Sequence, residues 1–448
     1  INNTLGRAED TVITTGDMEE ITSLSINGPS NVEDIGDIEG IQYAVNLQTL
    51  NMTGDIKNVE KIEGLTKLRR LTINSNEFLT DLSQFGSKPE LTLLNVDDCT
   101  ELTSLDGITV ENYPKLEELS CSSCSSLSDI SALSGPEIPT LKEADFGDSA
   151  AITDIAPLEG YDAMEELDIE KVDITEENRE GYRRAIRSLT NLNALQMTFC
   201  NITDEDTEMF STLQNLQTLV LNMNELTSTE FCDQLPADIE VLSLHGNDIE
   251  NMDNLGRLTN LTILGMGDNN VTDFSFVSKL TSLTNGSIRH AEGTDRFPCC
   301  ETYYYGSQSD PIEIEDGQIV IENPYIGVDG KPISFEDAEI ESSEDIGITV
   351  SYDAATNKIT LGNIPSITSV NSIMIKAGYA LPVSNNEYKV TELRIVTYIK
   401  EKTHEHIWGS PTYTWSADGK TCTAERVCTE DSSHVESEKA AAAGEVTK

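Results

Sequence analysis

The sequence predicts a solenoid, with a curved parallel β-sheet inside and short convex helices or turns outside, followed by a β-sandwich and a small β-hairpin module. Three observations predict it. An apolar ladder recurs twelve times, at steps of 21 to 28 residues. After Leu283 the ladder fades and period-two alternation replaces it. A short segment rich in aromatic and turn residues then closes the chain. A unit of twenty-odd residues cannot bury its own apolar side, so copies stack and each buries its neighbour.

The unit is stated by Leu68-x-x-Leu71-x-Ile73-x-x-Asn76. It returns as Leu216-x-x-Leu219-x-Leu221-x-x-Asn224 and Ile239-x-x-Leu242-x-Leu244-x-x-Asn247, which makes it a leucine-rich repeat. The ladder starts at Ile21 and restarts at Leu47, Leu68, Leu91, Leu116, Leu141, Met164, Leu192, Leu216, Ile239, Leu261 and Leu283. Each start opens a short strand whose apolar positions point inward and whose alternate positions face the concave side. Twelve strands roughly 4.8 Å apart make a sheet on the order of 50 Å long.

Asn76, Asn224, Asn247 and Asn269 follow the strands. A side-chain amide there can satisfy backbone groups of the turn and of the adjoining coil. A second apolar stretch, such as Ile152-Thr-Asp-Ile155-Ala-Pro-Leu158, covers the convex side and is too short for a full helix. The longest repeat is the exception. Thr175 is placed to N-cap a helix with an acidic first turn (Glu176, Glu177) and an apolar side of Tyr182, Ala185, Ile186 and Leu189. Asp204 to Leu213 is a weaker helical segment.

Beyond Ile288 the leucine frame is gone. Strand-like runs follow at Ile312-x-Ile314, Gln318–Ile321, Ile348–Tyr352, Lys358–Leu361, Ser372–Lys376 and Glu392–Tyr398. Turn signals separate them at Asp316-Gly317, Asp329-Gly330 and Ala354–Asn357, the pattern of a β-sandwich. Tyr413 to Cys422 reads as a hairpin with an Asp418-Gly419 turn, and the tail from Ala440 reads as loose. The expected division is 1–20 N-terminal cap, 21–290 repeats, 291–402 sandwich, and 403–448 small β module and tail.

Composition excludes several partners. The 448 residues carry 79 acidic and 29 basic side chains, a formal charge of −50. Nucleic acid needs Lys and Arg against its phosphates, and anionic membrane surfaces need the same. No run of 18 apolar residues exists to span a bilayer. The chain opens at Ile1 without a charged-then-apolar leader, as expected where a signal peptide has been removed or the chain trimmed.

The stretch Ile38-Glu-Gly-Ile41-Gln-Tyr-Ala44, followed by Leu47-x-x-Leu50, resembles the opening repeat of internalin-like bacterial leucine-rich repeat proteins. Units ending in Ile-Thr-Asp-Ile or Val-Thr-Asp-Phe resemble that family too. The strands after the repeats, with Asn323-Pro-Tyr-Ile-Gly-Val-Asp-Gly330, resemble the immunoglobulin-like domain that follows the repeats there. His406-x-Trp408 through Cys428 is similar to short modules of Gram-positive surface proteins. The resemblance implies an extracellular protein, secreted or wall-associated, used in adhesion or recognition. This sequence departs from the family in its uneven repeat lengths and in lacking a Leu-Pro-x-Thr-Gly sorting signal.

Read in register, most of the nine cysteines are structural. Cys99, Cys124 and Cys200 take the Asn site of their repeats, Cys121 an inward strand position, and Cys232 a convex segment beside Phe231. Buried thiols of this kind act as small apolar groups, so Cys121-x-x-Cys124 is core filling rather than a redox or metal motif. A Cys99–Cys124 disulfide is conceivable but disfavoured. Cys299-Cys300 falls where the ladder ends, and can cap it or pair within itself under strain. For Cys422 and Cys428 three readings stand: a disulfide, which requires the chain to reverse between them; zinc, with His406 and His434; or free thiols. His245 reads as a solvated surface histidine, with no triad partner in reach. No Gly-x-Ser-x-Gly, phosphate loop or His-Glu-x-x-His is present. Asn201-Ile-Thr203 and Asn270-Val-Thr272 arise from the repeat and are not glycosylation signals.

The concave positions change character along the chain. Early coils offer Ser23, Ser25, Asn27, Thr49, Asn51 and Thr53. The middle coils are acidic, with Asp97, Glu118, Glu143, Asp145, Glu166, Asp168 and Glu170. Late coils are mixed: Gln196, Thr198, Val220, Asn222, Ser243 and His245. Like charges across a strand pair are unfavourable, and a cationic partner or Ca²⁺ would relieve them. A screened, solvated patch is the plainer reading. These outward positions hold no aromatic column. The function expected is a monomeric, non-enzymatic recognition or adhesion protein that binds a protein or glycan on a host or neighbouring cell through the concave face, with no cofactor. The alternatives are a structural wall or surface-layer component, or the targeting part of a larger surface enzyme.

Overall fold

A computed structural model describes residues 12–27, 36–283, 300–341, 347–367, 369–382, 388–402, 407–429, 432 and 434–441. Helix α1 (Thr15–Glu19) precedes the first coil, with Thr14 and Asp17 forming a capping box. Eleven strands then form one parallel sheet in sequence order. They are β1 (Ser23–Asn27), β2 (Thr49–Thr53), β3 (Arg70–Asn74), β4 (Leu93–Asn95), β5 (Glu118–Ser120) and β6 (Glu143–Asp145), then β7 (Glu166–Asp168), β8 (Ala194–Gln196), β9 (Thr218–Val220), β10 (Val241–Ser243) and β11 (Ile263–Gly265). The strand expected after Leu283 lies outside the described residues, as do residues 1–11.

Register follows the ladder. Leu71, Leu94, Leu119, Ala144, Leu167, Leu195, Leu219 and Leu242 pair in succession across the strands and are buried. Removing one such leucine costs about 2–5 kcal/mol, because neighbouring coils cannot close the cavity.

The residue three past the last apolar strand position reaches back to one carbonyl of the preceding coil. Asn224 Nδ2 donates to Met197 O at 2.8 Å, Asn247 to Leu221 O at 2.9 Å and Asn269 to Leu244 O at 2.8 Å. In earlier coils thiols make the same reach. Cys99 Sγ donates to Ile73 O and Cys124 Sγ to Val96 O, both at 3.2 Å, and Cys200 Sγ to Ile169 O at 3.1 Å. Ser149 Oγ does so to Cys121 O at 2.8 Å. The Asn residues go further, because their Oδ1 also accepts backbone N–H, as from Leu226 to Asn247 at 3.1 Å. Burial pushes the Cys99 and Cys124 thiols up to about 12, so neither supplies a thiolate.

One position before this column, ten coils in a row hold a left-handed residue: Gly54, Ser75, Asp98, Ser123, Asp148, Lys171, Phe199, Met223, Gly246 and Asp268, with φ from 51° to 93°. From Gly54 to Gly246 each N–H donates to a carbonyl of the following coil, which holds the chain in that conformation.

The convex side is mostly single turns of 3₁₀ helix. Helix α2 (Arg179–Ser188) starts later than the sequence suggested. Thr175 and Asn178 exchange hydrogen bonds at 2.7 and 3.4 Å, which closes a turn holding Glu176 and Glu177 ahead of the helix. Asp204–Thr212 is 3₁₀ rather than α. Asp206, fully buried, accepts from Arg179 at 2.6 Å and Arg183 at 2.9 Å, tying α2 to that segment.

The remaining chain is β-rich. A five-stranded sheet orders β12 (Cys300–Tyr305), β19 (Tyr388–Glu401), β18 (Asn371–Pro382) and β15 (Glu339–Ile340), with β13 (Ile312–Ile314) also on β19. A three-stranded sheet orders β14 (Ile319–Glu322), β17 (Lys358–Gly362) and β16 (Thr349–Asp353). Asp316 and Gly317, both at positive φ, make the tight turn between β13 and β14. Both sheets contribute to a shared apolar core with Tyr325 and Phe335. This part joins the last coil directly. Thr302 Oγ donates to Asn269 O at 3.1 Å, Tyr303 N–H to the same oxygen at 3.0 Å, and Ile326 N–H to Thr272 O at 2.8 Å.

The expected hairpin, β20 (Thr412–Trp415) and β21 (Thr421–Val427) about Asp418-Gly419, is present and is extended by β22 (Val435–Ala441) into a three-stranded antiparallel sheet. Ala440 and Ala441, expected in a loose tail, belong to β22, because the strand is held by its ladder with β21 rather than by its own propensity.

Candidate functional site

The concave sheet places two acidic columns side by side. Glu118, Glu143 and Glu166 are consecutive cross-strand neighbours, ended by Ala194. Asp145 and Asp168 are neighbours in the next column, between Ser120 and Gln196. Together with Asn95 and Thr218 they line an open hollow of about 390 Å³. Its floor is made by the strands themselves, because β4 to β11 carry only three paired residues and turn away at once.

Gly147 keeps the Asp pair open. A Cβ there would lie 3.2 Å from Oδ1 of both Asp145 and Asp168. Each carboxylate also closes its own turn, Asp145 accepting from Gly147 N–H and Asp168 from Glu170 N–H, both at 2.9 Å. Gln196 Nε2 donates to Asp168 Oδ2. Burial raises the Asp145 carboxyl to about 6, against the Gly147 hydrogen bond and with the help of Asp168 and Asp97. Burial raises Asp168 also, opposed by Glu170 N–H and Gln196. Glu143 is raised by burial and then by Glu118 and Glu166. The hollow therefore holds negative charge at a cost that a cation would reduce.

Five of the seven acidic residues expected at the site meet there. Asp97 and Glu170 do not. They lie two residues past the ends of β4 and β7, where alternation no longer governs direction. Asp97 accepts from Ser122 N–H at 2.9 Å and from Asn95 Nδ2 at 2.6 Å, and so staples adjacent coils. Asn222 does the equivalent for Ser243 and His245. Nor do the carboxylates converge on a point. Among the described residues no three His, Cys, Asp or Glu side chains are placed to hold a metal ion.

The cysteine readings at the C-terminus are corrected too. Cys422 pairs with Trp415 and Ala440 inside β21, and Cys428 follows the same strand, bridged to Trp408, its N–H donating to His434 O at 3.0 Å. Six extended residues span about 20 Å, whereas a disulfide needs less than about 7 Å. Cys422 therefore cannot pair with Cys428 or share an ion with Cys428 and His434, and His406 lies outside the described residues, as does Cys299. His245 is not freely solvated: Nε2 lies 3.2 Å from Asp268 Oδ2.

Gln196, expected on the concave side, ends the Asp column, and Phe199, three residues past β8 and missed by sequence, is 47% exposed. The signal was present as an aromatic residue at the turn position of a regular repeat.

No protein-family model matches the chain, and no curated protein matches it. Solved structures do. Internalin InlF of Listeria monocytogenes is 25% identical, with a TM-score of 0.54 over 63% of this chain and 78% of that one. The chain is internalin-like: it is similar to an internalin leucine-rich repeat protein. Looser likenesses join the internalin-like chain to two further Listeria monocytogenes structures. The functional domain of InlJ is 17% identical, over 89% of this chain and 95% of that one, with a TM-score of 0.43. Internalin C2 is 22% identical, over 59% and 88%, with a TM-score of 0.33. No helix among the described residues is long and apolar enough to cross a membrane.

Proposed function

We propose that this protein is a non-enzymatic, extracellular recognition or adhesion protein whose concave repeat face binds a cationic segment of a protein partner. The observation that carries this reading is the hollow between β4 and β9, where five carboxylates stand in two columns. Two parallel columns suit several lysine or arginine side chains of an extended chain better than one ion. The β-rich part from 300 to 402 is read as an immunoglobulin-like sandwich that spaces the repeats from the cell, and the last module as a connector.

The test is fluorescence anisotropy with labelled hexalysine at low and moderate salt. The expected result is binding that weakens as salt rises, with hexaglutamate inert. Equal weak binding of both peptides, or none of hexalysine at low salt, would refute the concave reading.

A further inference from the structure

The left-handed position after each strand is a poor place for a large side chain. The Cβ clashes there cost roughly 1–2 kcal/mol for an ordinary L-residue, and Gly, Asp and Asn bear the conformation best. Eight of the ten coils in this column hold Gly, Ser, Asp or Lys. The eighth and ninth coils hold Phe199 (φ 55°) and Met223 (φ 53°). Core packing does not repay Phe199, which is 47% exposed. Met223 lies across Gly246, where any Cβ would collide with its Sδ. Two adjacent coils thus hold large apolar residues at one position, Phe199 exposed and Met223 half-buried. Phe199 follows β8 by three residues, and Ala194 and Gln196 of that strand line the hollow.

We propose that Phe199 and Met223 are an apolar anchor that takes a large apolar side chain of a protein partner lying beside that partner's basic residues. The inference rests on the concave face being the recognition surface. Charge selects the partner's basic residues in the hollow, and the anchor selects the neighbouring apolar one. Phe199 N–H donates to Asn222 O at 3.0 Å, so the backbone that carries the exposed ring is already ordered before binding, and exposed aromatic residues are favoured interface anchors.

The experiment compares four labelled peptides on the full chain: hexalysine, hexalysine extended by Leu-Trp, hexaserine, and hexaserine extended by Leu-Trp. The extension is expected to tighten binding of hexalysine by at least about tenfold, and Phe199→Asn to remove most of that gain while leaving hexalysine itself within about twofold. Asn tolerates the left-handed conformation, so Tm is expected to hold or rise. A gain that survives Phe199→Asn, or no gain at all, overturns the anchor. So does a Tm lowered by several degrees, which would mean that the ring packs for stability. The hexaserine pair separates this inference from the reading beneath it. If hexalysine does not bind, the acidic hollow fails as a site, and the anchor stands only if hexaserine-Leu-Trp binds and Phe199→Asn abolishes it.

Discussion

The fourth to eighth coils and the ninth to eleventh share one backbone and differ in what they ask of it. In the turn column the earlier group uses Cys99, Cys124, Ser149, Val172 and Cys200, and the later group Asn224, Asn247 and Asn269. A thiol donates one weak hydrogen bond to the coil before it, whereas an Asn amide donates and accepts. On the concave side the earlier group carries the acidic columns, and the later group carries Thr218, Val220, Val241, Ser243, Ile263 and Gly265. The coils that tolerate like charges are those with weaker turn ties. Fold stability is thus concentrated in the neutral coils and surface chemistry in the acidic ones, as expected when a surface serves binding at some expense of stability.

The tie between the seventh and eighth coils, inside the acidic group, should give the largest effect. Asp206→Ala leaves Arg179 and Arg183 without their buried carboxylate and should cost about 3–5 kcal/mol in denaturant unfolding. A loss below about 1 kcal/mol would show that α2 is held by its apolar face alone. Next comes the turn column itself. Asn247→Ala strands the Leu221 carbonyl and the Leu226 N–H, while Asn269 keeps the Leu244 carbonyl paired, and should cost about 2–3 kcal/mol. Cys124→Ala loses one weak bond and a small cavity, about 1 kcal/mol. Equal losses would erase the contrast between the groups.

The smallest effect is electrostatic. The folded Asp145 carboxyl takes its proton near pH 6, whereas the ordinary value is 3.8. Between these values the folded state binds the extra proton, so stability falls as pH rises from about 4 to about 6 and is regained on acidification. Unfolding at pH 7.5 and pH 5 should show the acidic coils gaining less than about 1 kcal/mol from this residue at the lower pH, after allowance for solvent screening. Asp145→Asn should remove that part of the difference. An unchanged pH profile would mean that Asp145 is solvated like its neighbours.

The ladder was legible because its period is regular and its strands bury one side. It located Leu71 to Leu264 in the core, the thiols of Cys99 and Cys124 in the turn column, and five carboxylates on one surface. It misdirected Asp97 and Glu170, because alternation holds only while the chain is extended, and the middle strands are three residues long. The left-handed column that carries Phe199 arises from hydrogen bonds to the next coil, which no local pattern announces. For the same reason β12 and β22 were unread: Thr302 is placed by Asn269 and Val271, and Glu436 to Ala440 by β21, not by their own composition.

The central claim is that the position of the carboxylates, rather than the overall charge of −50, creates the recognition surface. It is tested most directly by titrating hexalysine against two variants that each remove four negative charges. One changes Glu143, Asp145, Glu166 and Asp168 to Ser; the other changes Glu60, Glu177, Glu205 and Glu230, exposed on the convex side. The expected result is at least about a tenfold loss of affinity for the first and under about twofold for the second. Equal losses would contradict it and leave only a diffuse acidic surface.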